Sequence, residues 1–142
     1  MTASRRSALL ALAGVALILG VVPLVSTRSA AAQALTARSS DADGVRVVVT
    51  PKTVTAGSAW EFEVVMDTHT KPLDIDLAQT SVLVDSTGRS YRPLAWQGDP
   101  PGSHHRKGVL RFPAPEQRLG RIELQIEEAG GVGKRNFQWD LK

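Results

Sequence analysis

Apolar and polar residues alternate with a period of two along most of the chain after residue 44. The clearest run places a large apolar side chain at every second position: Trp60, Phe62, Val64 and Met66. Because successive side chains of a β-strand point to opposite faces, this alternation predicts a strand with one buried face. Similar patterns predict strands at residues 45–49, which Pro51 is expected to end, and at 75–77, 81–84, 90–93, 109–112, 122–126 and 137–141.

The connections between these runs favour an antiparallel fold. Asp85-Ser86-Thr87-Gly88 supplies a turn with a glycine free to take positive φ, and a glycine-rich stretch at residues 130–133 joins the last two strands. No segment after residue 34 shows helical periodicity, and residues 115–119 form one turn at most. About seven short strands joined by turns predict an all-β fold, an immunoglobulin-like antiparallel β-sandwich. A small barrel is the alternative.

The first 34 residues have the organisation of an export signal. Arg5 and Arg6 precede an uncharged apolar run at residues 8–25, and Ala32-Gln33-Ala34 offers a cleavage site that would leave Leu35 first. The run is slightly long for a cleaved signal, so an uncleaved membrane anchor stays open, although its glycines and proline favour cleavage. We predict an exported protein that is periplasmic, cell-surface or extracellular, by either the general or the twin-arginine route.

After the signal segment 108 residues remain, which is enough for one domain with a single core. Residues 35–44 are small and polar and are interpreted as a flexible linker, which leaves residues 45–142 for the sandwich. The chain has no cysteine, so neither a disulfide nor a thiolate metal site is expected.

The basic character of the chain belongs largely to its signal segment. The whole sequence has 17 Lys and Arg against 14 Asp and Glu, but Arg5, Arg6 and Arg28 lie in the first 34 residues. The rest of the chain carries 14 charges of each sign, so no nucleic acid partner is expected. Contact with a membrane is expected only through the N-terminal segment, if it stays uncleaved.

A longer pattern of strands and turns runs from about Trp60 to Ile126. Its parts are LDIDL at residues 73–77, VLVDSTGRSYRP at 82–93 and PGSHHRKGVLRFP at 101–113. The pattern resembles the immunoglobulin-like domains of unknown function that occur in small exported bacterial proteins and lipoproteins. The resemblance implies the sandwich fold and no particular activity. Histidine is not typical of the family in the loop after the long strand or in the Pro-Gly turn, and this chain has histidine in both.

The three histidines of the chain therefore suggest a site. His69 follows the long strand, and His104 and His105 are adjacent in the Pro-Gly turn. Imidazole nitrogens bind copper and zinc, and they do so outside the cytoplasm without thiol chemistry. If the fold brings the loops together, we expect a copper or zinc site formed by the histidines and Asp67, with Asp99 as an alternative carboxylate. Solvated histidines that bind no metal are the competing interpretation.

Trp96, just before the histidine turn, is expected either to close one end of the sandwich or to form a binding surface with Tyr91 and Arg106. Met66 shares the strand face of Phe62, which predicts a packing role rather than copper ligation.

Catalytic motifs are lacking in the sequence. There is no G-x-S-x-G elbow, no H-E-x-x-H and no phosphate loop between a strand and a helix, so no enzyme is expected. We predict an exported, non-enzymatic binding module with copper or zinc as its leading ligand. The alternative is a module with no metal site that binds an envelope or extracellular protein or has a structural role.

Overall fold

The computed structural model describes residues 35–116, 119–128 and 133–141. The chain divides into two units, residues 1–30 and residues 31–142. The predicted signal segment and its cleavage site lie outside the described residues, as does most of the glycine-rich connection. None of the helices in the described part has the length and apolar character that crossing a membrane requires.

Two antiparallel sheets form the fold, and they confirm the predicted β-sandwich. Sheet A has the strand order β1-β2-β3-β7-β6, and sheet B has the order β5-β4-β8-β9. The described residues therefore contain nine strands rather than about seven. In chain order the elements are β1 (Arg38–Ala42), β2 (Val45–Thr53), β3 (Trp60–Thr68), α1 (Leu77–Thr80), β4 (Ser81–Asp85), β5 (Ser90–Tyr91), β6 (Ala95–Gly98), β7 (His105–Phe112), β8 (Arg121–Glu127) and β9 (Lys134–Asp140).

The inward faces of both sheets make one apolar core. The large apolar residues of β3 are at most 3% exposed, as the period of two predicts, and Met66 is one of them. The ring of Phe62 meets that of Phe112 edge to face at a centroid distance of 5.7 Å. Phe62 also lies 5.7 Å from the ring of Trp139, which belongs to sheet B. Phe62 thus joins the two layers of the sandwich.

The segment interpreted as a flexible linker contains strand β1, so the linker interpretation is wrong for these residues. Arg38–Ala42 pairs with the first half of β2 through a two-residue turn, Asp43-Gly44. Both turn residues have positive φ, 51° and 74°, which suits the tight hairpin turns that Asp-Gly sequences favour. The indole Nε1 of Trp139 donates to the carbonyl of Thr36 at 2.7 Å, which also holds this segment on the sandwich.

The strand expected at Ile75 and Leu77 is replaced by a short helix. Asp76 is the N-cap of α1, and its Oδ1 accepts a hydrogen bond from Ala78 N at 2.9 Å. Leu77 is fully buried, so the apolar residues that suggested a strand reach the core from a helical turn and the loop before it. The alternation of two residues is too short to separate these alternatives.

Pro51 does not end β2, contrary to expectation. The neighbouring strand β1 pairs with β2 only as far as Val49, so beyond that point β2 is an edge strand. Proline is tolerated at an edge because no partner needs its missing N–H. Pro51 pairs with Phe62 of β3, and the register of the two strands then shifts before Thr53.

The turn between β4 and β5 is organised by the buried carboxylate of Asp85. Its Oδ1 accepts from Thr87 N at 2.8 Å, Thr87 Oγ1 at 2.6 Å and Arg89 N at 3.1 Å. Its Oδ2 accepts from the hydroxyl of Tyr91 at 2.9 Å. Burial by itself raises the pKa of Asp85, but the hydrogen bonds to the charged form outweigh burial and hold this pKa below its ordinary value.

We expect Asp85→Asn to lower the free energy of unfolding at pH 7 by about 1–2 kcal/mol, because a neutral amide accepts the hydrogen bonds of Thr87 and Arg89 more weakly than a carboxylate and no longer accepts from Tyr91. A lowered folded-state pKa stabilises the fold above the unfolded pKa, and this stabilisation is lost as pH falls through the folded pKa. In urea denaturation the natural chain should therefore lose more stability than the variant between about pH 5 and pH 3. Asp140→Asn, at an exposed position, is the control and should keep the natural acid dependence. Equal acid losses in Asp85→Asn and the natural chain would contradict this account.

Candidate functional site

The pairing of β3 with β7 brings the histidine-bearing segments together. Asp67, near the end of β3, is the register partner of His105, the first residue of β7. His69 follows β3 and His104 precedes β7, and Thr68 N donates to the carbonyl of His104 at 2.9 Å. Residues 38 positions apart in the sequence thus meet at one end of sheet A.

These segments border an open cleft of about 550 Å³, which we call the histidine cleft. All four residues predicted to bind metal line it: Asp67, His69, His104 and His105. Adjacent residues of a strand point to opposite faces. His104 and His105 nevertheless share the cleft because β7 begins only at His105, so the alternation does not extend to His104.

His105 and Asp67 form the closest polar pair in the histidine cleft. His105 Nδ1 lies 2.5 Å from Asp67 Oδ1, and the two side chains are 60% and 46% exposed. A carboxylate at one ring nitrogen fixes the orientation of the imidazole and leaves the other nitrogen, Nε2, for a further partner. Carboxylates orient metal-binding histidines in this way.

Backbone hydrogen bonds hold the histidine turn against the loop after β3. Leu73 N donates to the carbonyl of Ser103 at 3.0 Å, and Gly102 N donates to the carbonyl of Leu73 at 3.1 Å. Gly102 has a φ of 109°, which a residue with a Cβ rarely adopts. The hydroxyl of Ser103 also donates to the carbonyl of His105. These hydrogen bonds fix the position of the histidine turn relative to the loop after β3.

The histidine cleft gathers donors but does not arrange them as a complete metal site. Within the described residues, no three His, Cys, Asp or Glu side chains are grouped closely enough to hold a metal ion. Arg46 also lines the cleft, and in the sheet it lies between its register partners Asp41 and Asp67. Its positive charge opposes the binding of a cation. Asp99 does not line the cleft, and its Oδ2 accepts from Lys107 N at 2.8 Å.

Arg106 was expected on a binding surface, and this expectation is wrong. It follows His105 on β7 and points the other way, so that only 1% of it is exposed. Its Nη1 donates to the carbonyls of Leu73 at 3.1 Å and Ile75 at 2.7 Å, and its Nη2 donates to that of Asp99 at 3.2 Å. Burial lowers the pKa of Arg106 below its ordinary value. Arg106 ties the loops around the histidine turn together.

Trp96 on β6 packs on this arginine. The guanidinium carbon of Arg106 lies 5.6 Å from the centre of the indole, and Trp96 Nε1 donates to the carbonyl of Asp99 at 2.9 Å. The ring crosses a Gly98–Gly108 pair between β6 and β7, where a Cβ on Gly108 would come within 2.6 Å of Trp96 Cζ2. Trp96 is half-buried against the core, which matches the expected closing role better than a free binding surface.

Tyr91 lies in the other sheet. It belongs to β5 of sheet B, and its hydroxyl is used by Asp85. Burial and the neighbouring carboxylate raise the pKa of Tyr91. The residues predicted to form one binding surface are thus a buried guanidinium and two half-buried rings that belong to different sheets.

A second opening, which sequence reasoning missed, lies between the sheets at the same end of the sandwich. We call it the inter-sheet cavity, and its volume is about 270 Å³. Residues from both sheets and from the loop after β3 line it, among them Val47, Met66, Leu73 and Ile126. Each of these positions was interpretable only as core, because periodicity shows which face is buried and not whether that face is filled.

No protein-family model matches the chain, and no curated protein matches it. Among solved structures, the chain is similar to the crystal structure of a DUF4426 family protein from Pseudomonas aeruginosa PAO1. The sequences are 16% identical, the TM-score is 0.45, and the match covers 72% of this chain and 93% of that chain.

Proposed function

We propose that this protein is an exported, non-catalytic binding module of the immunoglobulin-like family that its sequence resembles, and that the histidine cleft binds copper or zinc. The observation that supports this most is the Asp67–His105 pair, at a cleft lined by all three histidines of the chain. Imidazole is a suitable ligand for both ions, and a carboxylate behind it raises its basicity.

In this proposal the ion binds first to Nε2 of His105, whose ring Asp67 already orients. His69 and His104 are exposed side chains on the same cleft, so either can rotate towards the ion without disturbing the core. The binding step itself would complete the ligand set. Arg46 makes the site weaker than a preformed one, because its charge repels the incoming cation.

We expect His105→Ala and His69→Ala each to weaken binding of copper(II) by at least about tenfold, because each removes a nitrogen ligand from the proposed site. Asp67→Asn should weaken binding by about the same factor while keeping the histidines. The measurement is a calorimetric titration of the full-length chain with copper(II) and, separately, with zinc. Arg46→Ala should strengthen binding of both ions.

Asp43→Asn is the matched control, because it removes a carboxylate from the neighbouring turn outside the histidine cleft and should change nothing. Circular dichroism of each variant checks that the sheet content is kept. Copper binding that survives both histidine substitutions at natural strength would refute the metal site.

A second candidate is a module that binds another envelope protein, with the histidines incidental. The edge strand β6 favours it, because within the part of the chain that the structure describes β6 pairs only with β7, and Leu94, directly before it, is 65% exposed. This candidate predicts a partner that is lost from Leu94→Glu and retained by His105→Ala. The metal proposal predicts instead that copper binding is lost from His105→Ala and retained by Leu94→Glu.

A further inference from the structure

We propose that the inter-sheet cavity is a second binding site, which takes the hydrocarbon chain of a single-chain amphiphile with an anionic head group. Its volume of about 270 Å³ exceeds that of an apolar protein cavity of about 150 Å³ that binds benzene. The size therefore suits a short or medium acyl chain. This proposal is independent of the metal proposal.

The walls of the inter-sheet cavity are apolar and belong to both sheets. Val47 of β2 and Met66 of β3 contribute from sheet A, and Ile126 of β8 contributes from sheet B. All three are at most 3% exposed. Leu73 and the half-buried Ile75 line the open side of the cavity from the loop after β3. Such walls offer no hydrogen bonds, so they select a hydrocarbon group.

Four charged side chains also line the inter-sheet cavity, and two of them, Arg135 and Glu128, pair with each other. Arg135 is 5% exposed, and its Nε donates to Glu128 Oε1 at 2.6 Å. Its Nη1 donates to Ser40 Oγ at 3.1 Å, and its Nη2 donates to the carbonyl of Ala42 at 2.8 Å. These contacts join β9 of sheet B to β1 of sheet A and keep this side of the cavity in place.

Lys71 is the cation that remains for a ligand. Its side chain is exposed, and it makes no ion pair or side-chain hydrogen bond with any residue that the structure describes. A carboxylate or phosphate head group can pair with its ammonium while the chain enters the cavity. Asp74, also exposed and lining the cavity, disfavours a head group with more than one negative charge.

The inter-sheet cavity and the histidine cleft share no lining residue. They lie on opposite faces of the same strand ends, because Val45 and Val47 alternate with Arg46 and Met66 alternates with Asp67. A substitution in the lining of one site therefore removes no side chain from the lining of the other. A failure of copper binding and a failure of amphiphile binding are thus separate results.

The test titrates octanoate into the full-length chain labelled with ¹³C at the methionine methyl groups. The chain has two methionines, Met1 and Met66, and Met66 lines the cavity. We expect octanoate to shift the Met66 methyl resonance and to leave that of Met1 unmoved. The affinity should rise by about fourfold per methylene group from butanoate to octanoate, and by less per group from octanoate to dodecanoate, because the cavity is then full.

Two variants separate chain binding from head-group binding. Ile75→Trp fills the cavity and should lower the affinity for octanoate by at least about tenfold. Lys71→Glu should lower the affinity for octanoate by about tenfold and leave the affinity for the neutral probe octan-1-ol unchanged. Leu94→Trp and Lys52→Glu are the matched controls on exposed positions outside the cavity. Comparing the affinities for lysophosphatidylglycerol with an octanoyl chain and for octanoate distinguishes a phospholipid ligand from a free fatty acid. Tighter binding of the former indicates a phospholipid, and tighter binding of octanoate indicates a fatty acid.

An unmoved Met66 resonance at saturating octanoate would overturn the proposal. Octanoate binding that Ile75→Trp leaves at natural strength would overturn it as well, since the ligand would then occupy another part of the chain. If Ile75→Trp does not fold, the Met66 resonance of the natural chain and the Lys71→Glu variant still decide the question.

Discussion

Replacing Arg106 with alanine is expected to lower the free energy of unfolding by about 3–5 kcal/mol. Three loop carbonyls would lose the guanidinium, and although those of Leu73 and Asp99 keep Gly102 N and Trp96 Nε1 as donors, that of Ile75 would keep none among the described residues. A buried acceptor left without a partner costs about 1–3 kcal/mol. The stacking of the guanidinium on Trp96 would be lost as well, and the side chain would leave a void beside the ring.

Urea denaturation measures this loss, and hydrogen exchange locates it. Amides that hold the histidine turn, such as that of Gly102, should exchange faster in the variant because the loops are no longer tied together. Arg106→Lys keeps the charge, but one ammonium cannot reach three carbonyls. The stability of this variant should therefore lie between those of Arg106→Ala and the natural chain. Arg121→Ala removes an exposed ion pair with Asp140 and should change stability by less than about 1 kcal/mol. A loss in Arg106→Ala no larger than that of this control would show that Arg106 has no central role.

Phe62→Ala should lower the free energy of unfolding by about 3–5 kcal/mol, the range found when a buried aromatic ring is removed. Phe62 has no exposed surface, and it contacts both Phe112 of its own sheet and Trp139 of the other. The cavity left by the ring would lie between the two layers, where neither sheet can close it without moving the other. Thermal and urea denaturation both report this change.

Two substitutions make the Phe62 result specific. Phe62→Leu keeps most of the volume and should cost less than about 2 kcal/mol. Glu63→Ala changes the next residue, which faces outward and makes an ion pair with Lys107 at 3.3 Å, and should cost no more than about 1 kcal/mol. If Phe62→Ala and Glu63→Ala were equally stable, the sheets would not be held together through this ring.

The strands most readily predicted were those with a long period of two. In β3 the alternation runs over nine residues, and each inward position is buried in the structure. Residues 75–77 were misinterpreted because one apolar pair fits a strand and a helical turn equally well, and the capping carboxylate of Asp76 decided between them. The hairpin at Asp43-Gly44 had a sequence signal, since Asp-Gly is typical of tight hairpin turns, but the polar strand β1 before it has no apolar alternation.

The sequence identified the residues of the candidate site but not their arrangement in space. His69, His104 and His105 were singled out because imidazole chemistry is visible in the sequence. That they line one cleft follows from the pairing of β3 with β7, which no local pattern shows. Arg106 was placed on a surface because charged residues are mostly exposed, yet three carbonyls from distant loops made a buried position stable for it.

By itself the sequence determined the all-β class, the buried face of each long strand and which side chains are candidates for metal binding. These depend on side-chain chemistry and on the pleat, which act over neighbouring residues. Only the tertiary structure decided that Arg106 is buried, that Asp67 lies against His105 and that an open recess lies between the sheets beside Met66. Each of these depends on contacts between segments far apart in the chain, and burial and space are properties of the packed whole.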